Sequence, residues 1–230
     1  MLVVPALGFA AAPPIGPVEA GQQQRAGGRR LSDIDKRPLV MLGLAATLGS
    51  AAATTLVAFF VSALTEVDID EGLAGAMLAF GSAVVIGMRI FAGLAADRRG
   101  TDPLRAVAVF MAVSTAGYLL TATGSKYLLP IGALFALGAG WSWSGLIVHA
   151  VVRHYPEAPG AATGMISSGL NVGGVVGPLV FGVLVEHFSY SLAFAATAAS
   201  TLAGSVAAVA GRRRLEVAAS AGSGAPTATG

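Results

Sequence analysis

GMRIFAGLAADRRG, residues 87–100, sets a glycine-spaced cluster of charges directly against a membrane-length apolar run. Arg89, Gly93, Asp97, Arg98 and Gly100 follow one another across what reads as the edge of the hydrocarbon. Charges so placed are costly unless topology, lipid phosphate or a protein partner accounts for them. Basic residues at a helix end that faces the cytoplasm set topology and touch lipid headgroups, which explains Arg98 and Arg99. It does not explain Asp97, a carboxylate that at this edge asks for a helix N-terminus or an arginine. Gly93 and Gly100 permit a tight reversal and close helix approach. Two readings follow: a structured loop that gates, or charge that only orients the chain.

Working outward, only 11% of the residues are charged, against about 25% in a soluble domain. Mean hydropathy is +0.75. Six long runs carry no charge, at about 39–64, 72–88, 106–123, 127–149, 162–185 and 190–210. Each approaches the roughly 20 residues with which a helix crosses about 30 Å of hydrocarbon. Membrane strands would show segments of about ten alternating residues instead, so the runs are read as helices. There is no cysteine, which excludes disulfides, thiolate metal sites and a thiol nucleophile. No Asp or Glu falls in the middle of a run, and no cluster of His, Asp or Glu suggests an enzyme within the membrane. Neither a cofactor, a metal nor a nucleic-acid partner is expected. The partners expected are the lipid bilayer and a small-molecule substrate.

Of the 14 basic residues, all but Lys126 fall on one side when the runs are threaded in order. The positive-inside rule therefore places both ends of the six-span unit in the cytoplasm, in a plasma membrane. The acidic loop TEVDIDEGL, 65–73, falls outside, in agreement. Residues 1–15 are apolar but too short to span and read as the remnant of a preceding transmembrane helix. Residues 16–38 read as a cytoplasmic linker, 39–211 as the six-helix bundle and 212–230 as a disordered cytoplasmic tail. Gly93-x-x-x-Asp97 ends the second run and Gly182-x-x-x-Glu186 ends the fifth. That echo is the pattern of inverted repeats of three helices each.

The fifth run, GMISSGLNVGGVVGPLVFGVLVEH at 164–187, spaces Gly169, Gly173 and Gly177 by four. This spacing clears one helix face for close packing, and Pro178 allows a bend. Asn171 needs a polar partner, with Ser167 four residues earlier on the same face; it either lines a cavity or bonds a neighbouring helix. The fourth run, GAGWSWSGLIVHAVVRH at 138–154, holds Trp141 and Trp143 too deep for an interfacial belt. Two residues apart, they point about 200° apart on a helix, so one lines a path while the other packs. Thr54 in the first run is a weaker pathway candidate, since such hydroxyls mostly bond back to their own helix.

Taken in order, Arg89, Gly93, Asp97, Arg98 and Gly100 resemble the signature loop of the major facilitator superfamily, a family of secondary transporters. The Pro156-Glu157-Ala158-Pro159-Gly160 connection and the glycine-rich fifth run follow in family order. Thr101 and Asp102 depart from it, standing where a basic pair often follows the last glycine. The resemblance implies an all-α integral membrane fold, with these spans as the seventh to twelfth helices of a twelve-helix carrier. It makes Asp97 a state-dependent cytoplasmic latch supported by Arg89, and an ion pair between Asp97 and Arg153 is expected. It implies transport of a small solute by alternating access, the first, second, fourth and fifth spans lining the path. The N-terminal half, in cis or as a separate chain, is then expected as a partner, and this chain would be inactive alone. The alternative is a structural or partner-binding membrane subunit without transport. Sugars, drugs, small organic anions and metabolites all remain open as substrates.

Overall fold

The computed structural model describes residues 36–99 and 102–223, and their side chains except at 92–99, 218, 219 and 221–223. Seven helices follow: α1 (Lys36–Thr65), α2 (Glu71–Arg99), α3 (Pro103–Ala122), α4 (Leu128–Gly140), α5 (Ser144–His154), α6 (Pro159–His187) and α7 (Tyr190–Ser223). Six segments are long and apolar enough to cross a membrane, α4 and α5 together making one of them, Leu128–His154. No strand occurs among the described residues. The expected fold class is found.

Local chemistry sets the boundaries. Asp102 caps α3, its carboxylate accepting from the Leu104 backbone N–H at 2.9 Å, and Pro103 occupies the first turn, where its missing N–H costs nothing. Asp68 adopts a left-handed φ of 57° in the turn between α1 and α2. Its carbonyl accepts from Lys126 Nζ at 3.0 Å, which ties two loops at the acidic end together. Short connections make successive spans antiparallel, so the first and fourth spans run in opposite directions.

The spans pair in a pattern that exchanges the first three with the last three. α1 packs chiefly on α6 and α7, while α3 and α7 pack on each other. Correspondingly, the fourth span packs on α3 and, less extensively, on α2. With the related helices antiparallel, this is the arrangement of an inverted repeat.

In hydrocarbon, lipid is as apolar as leucine, so close packing rather than expulsion of water holds helices together. The α1–α6 seam shows it most clearly. A Cβ built at Gly173 or Gly177 would overlap the backbone of Thr47 or Ala51 on α1. Ser50 Oγ crosses the same seam to donate to the Leu170 carbonyl at 2.7 Å. Pro178 lies within α6 without ending it. Two buried clusters flank this seam, one around Leu42, Met111, Trp143 and Ile166, the other around Phe60, Tyr118, Phe181 and Phe194.

Three boundaries differ from the sequence reading. α2 continues through Arg99, so Gly93 sits inside a helix and does not make the reversal. Arg89 is therefore interior to a helix rather than just past its end. α7 continues to Ser223, so 212–223 is helix and not tail. Arg212 pairs there with Asp102 and, at 2.8 Å, with Glu216 one turn on, holding the extension. α1 begins at Lys36, inside the segment expected to be linker; the readings of residues 1–15, of the rest of the linker at 16–35 and of 224–230 lie outside the described residues.

Candidate functional site

Burial is unevenly shared among the spans. Only 11% of the apolar, membrane-length stretch of α2, and 11% of that of α6, is buried, against 50–61% for the other four spans. Leu73, Phe80, Ile86 and Ile90 on α2 and Val172, Val175, Leu179 and Val183 on α6 stand exposed. The second and fifth spans thus leave bare faces that the six-span unit does not itself cover.

On α2, one of the exposed side chains is Arg89. Its Nε donates to the Trp141 carbonyl at 3.2 Å and its Nη2 to Ser144 Oγ at 3.2 Å. Its guanidinium carbon lies 5.7 Å from the centre of the Trp141 ring, within cation–π range. These partners occupy the break between α4 and α5, where the Trp141 carbonyl also accepts from Ser144 Oγ at 3.1 Å. An interrupted helix exposes carbonyls that an unbroken ladder would occupy, and here an arginine takes one.

The break has a defined depth. Trp141 is 13 residues from either end of the Leu128–His154 span, about 20 Å of helix each way. The Arg89 guanidinium is therefore held near the middle of the bundle. A membrane arginine ordinarily snorkels to the interface; this one is bonded instead to the helix break at mid-depth. Arg89, expected to brace a latch at the membrane edge, is instead part of a mid-span cluster with Trp141 and Ser144.

The remaining candidates separate. Trp143 is 2% exposed and sits in the core, its ring against Gly49 and Met111, so it cannot line a path. Trp141, half-buried beneath Arg89, is the tryptophan at the site. Asn171 is exposed and makes no hydrogen bond with a described residue. It lies about 200° around α6 from Gly169 and Gly173, the glycines that face α1, so its amide points away from this unit. Ser167, half-buried, is one turn away. Thr54 Oγ1 donates to its own helix, to the Ser50 carbonyl at 2.7 Å. Arg153 is exposed near the end of α5 and pairs with no described acid. The side chains of Gly93, Asp97 and Arg98, and all of Gly100, lie outside the described residues.

The sequence profile of the Major Facilitator Superfamily matches residues 1–166. The chain belongs to this superfamily. Solved structures agree in fold: a peptide transporter POT mutant bound to alafosfalin aligns with a TM-score of 0.72 at 22% identity, over 84% of this chain and 42% of the transporter. The same transporter with sulfate gives 0.72 at 23% identity, over 84% and 41%. The chain thus spans about two fifths of the length of the solved structures it matches. No curated protein sequence matches it. The superfamily consists of transporters, not enzymes.

Where superfamily members often carry a basic pair after the signature loop, Asp102 has a structural task that sequence reasoning missed. Besides capping α3 it accepts from Arg212 on α7. Burial works to raise its pKa, but the hydrogen bond from Arg212 and that from the Leu104 N–H prevail and hold it below the usual carboxylate range. Ser144 was missed as well; its only signal is a position one turn after Trp141. A groove of about 230 Å³ between α1, α6 and α7 is less suited to recognition. Of its four hydroxyls, those of Thr47, Thr197 and Ser200 already donate to helix carbonyls, which leaves Thr55 in an otherwise apolar lining.

Proposed function

We propose that this chain is the C-terminal six-helix half of a secondary carrier that moves a small solute across the plasma membrane by alternating access. The bare faces of α2 and α6 carry this reading, since 11% burial leaves each of them in need of a covering surface. A second six-helix unit, in cis or as a separate chain, would cover them, with the solute path between the units. Asn171 supports this, because an unpaired amide in mid-span is costly against lipid and ordinary against water or another helix. The basic end of the bundle, with Arg153 and Arg212–Arg214, faces the cytoplasm in this proposal. There Asp97 and Arg153 form the latch.

Single-cysteine labelling in membranes tests the reading cleanly, because the natural chain has no cysteine. Asn171→Cys should react with a charged maleimide, which modifies only thiols in contact with water. Val206→Cys, exposed on an α7 face that meets lipid in this proposal, should stay unreactive. A structural subunit without a solute path predicts that both thiols resist the reagent, and that result would end the transport reading.

A further inference from the structure

Given the transport reading, on which this step rests, we propose that the solute is an anion whose carboxylate docks on the Arg89 guanidinium beside Trp141 and Ser144. The guanidinium has five N–H donors in a planar fork. The Trp141 carbonyl and the Ser144 hydroxyl take two of them, at 3.2 Å each, and leave three for a ligand. Both partners are dipoles, so the positive charge itself is not neutralised.

No described acid offers to neutralise it. Glu66, Asp68, Asp70 and Glu71 lie at one end of the bundle, and Asp102, Glu157 and Glu216 lie at the other. Glu186 closes α6 at the outer end. The backbone of Asp97 is eight residues further along α2, about 12 Å away. The charge is nevertheless held at mid-depth by a helix break, a tryptophan face and a hydroxyl, on a face that the unit leaves open.

This geometry selects its ligand. The guanidinium carbon lies 5.7 Å from the centre of the Trp141 ring, and the remaining N–H groups point outward in the plane of the fork, where a partner meets them edge-on. A carboxylate fits that edge with two parallel hydrogen bonds and cancels the charge. A neutral carboxamide of the same shape keeps one acceptor and cancels nothing. Ile86, one turn away on α2 and exposed, offers apolar surface to the body of the ligand.

The test uses isosteric pairs with the purified chain in lipid nanodiscs: benzoate against benzamide, and succinate against succinamide. Binding is read by calorimetry and by tryptophan emission, of which Trp141 is the responsive half. The acids should saturate at concentrations at least about tenfold below the amides. Arg89→Gln should remove that preference while helix content by circular dichroism stays unchanged. Arg89→Lys, which keeps the charge without the fork, should retain part of it. Equal binding of acids and amides, with Arg89→Gln silent, overturns the anion assignment and leaves the transport reading standing. Loss of acids and amides alike in Arg89→Gln marks a clamp on the helix break and also overturns it. A chain that binds neither class, and whose Asn171→Cys thiol is closed to water, fails both.

Discussion

Replacing Gly173 by alanine adds one methyl group and should loosen the half more than almost any other single change of that size. A Cβ there would overlap the Thr47 carbonyl and come within 2.9 Å of its carbon and 3.0 Å of the Ala51 nitrogen. Comfortable carbon contacts are about 3.5–4.0 Å, and these neighbours are backbone that no rotamer can move. α1 and α6 must therefore part by about 1 Å along their main seam, forfeiting a quarter to a half of each dispersion contact there. Overpacking of this kind costs about 1–3 kcal/mol, and the rigid backbone places Gly173→Ala near the upper end. At about 2–4 °C per kcal/mol for a chain of this size, the midpoint should fall by roughly 5–10 °C. Gly174→Ala, one residue along, is the internal control, because its Cβ would meet Thr54 Cγ2 at an ordinary 3.6 Å. Thermal unfolding of the purified chain in one detergent compares the two directly. Equal midpoints for both variants would refute the claim that α6 approaches α1 through the Gly173 face.

Three further outcomes follow from the same structure. Trp143→Ala should cost about 3–5 kcal/mol, as an emptied core site does, while Trp141→Ala, removing a half-buried ring, should cost less than half as much; chemical denaturation in micelles ranks them. Asp102→Asn should lower the thermal midpoint at neutral pH and converge with the parent only as the pH falls below the ordinary carboxylate range. A carboxyl whose folded pKa is depressed adds stability above the ordinary carboxylate range and loses it as pH falls through the folded value. Charge reversal at Asp97 should impair solute uptake by the complete carrier and be rescued by reversal at Arg153; unrescued losses in the double variant would remove the latch pair.

The hydropathy runs made the six spans legible because lipid leaves a chain few alternatives to helices. Their ends were less so. Arg89 interrupts the second run, and a charge in hydrocarbon reads as the edge of a span. The Trp141 carbonyl and the Ser144 hydroxyl, presented by a helix break some fifty residues later, make an interior arginine tolerable. That break leaves no mark in hydropathy. The two tryptophans were known to diverge, yet which one faced the core depended on Gly49 and Met111, residues of other helices against which Trp143 packs. The end of α7 differs from its local pattern for a similar reason. Arg212–Arg214 reads as a topogenic stop, whereas Arg212 pairs with Asp102 across 110 residues and carries the helix on. Local pattern reports where the chain prefers to lie, and pairings between distant segments decide what that position does.

The central claim is that the α6 face borders a path that opens to each side in turn. Two positions on α6 sample its two ends: Gly164, which has open space around it, and Val183, which is exposed. The rates at which Gly164→Cys and Val183→Cys react with a charged maleimide can be measured in membranes, with and without saturating solute. The account predicts reciprocal changes, one rate rising as the other falls. Rates that stay fixed, or that move together, would contradict it.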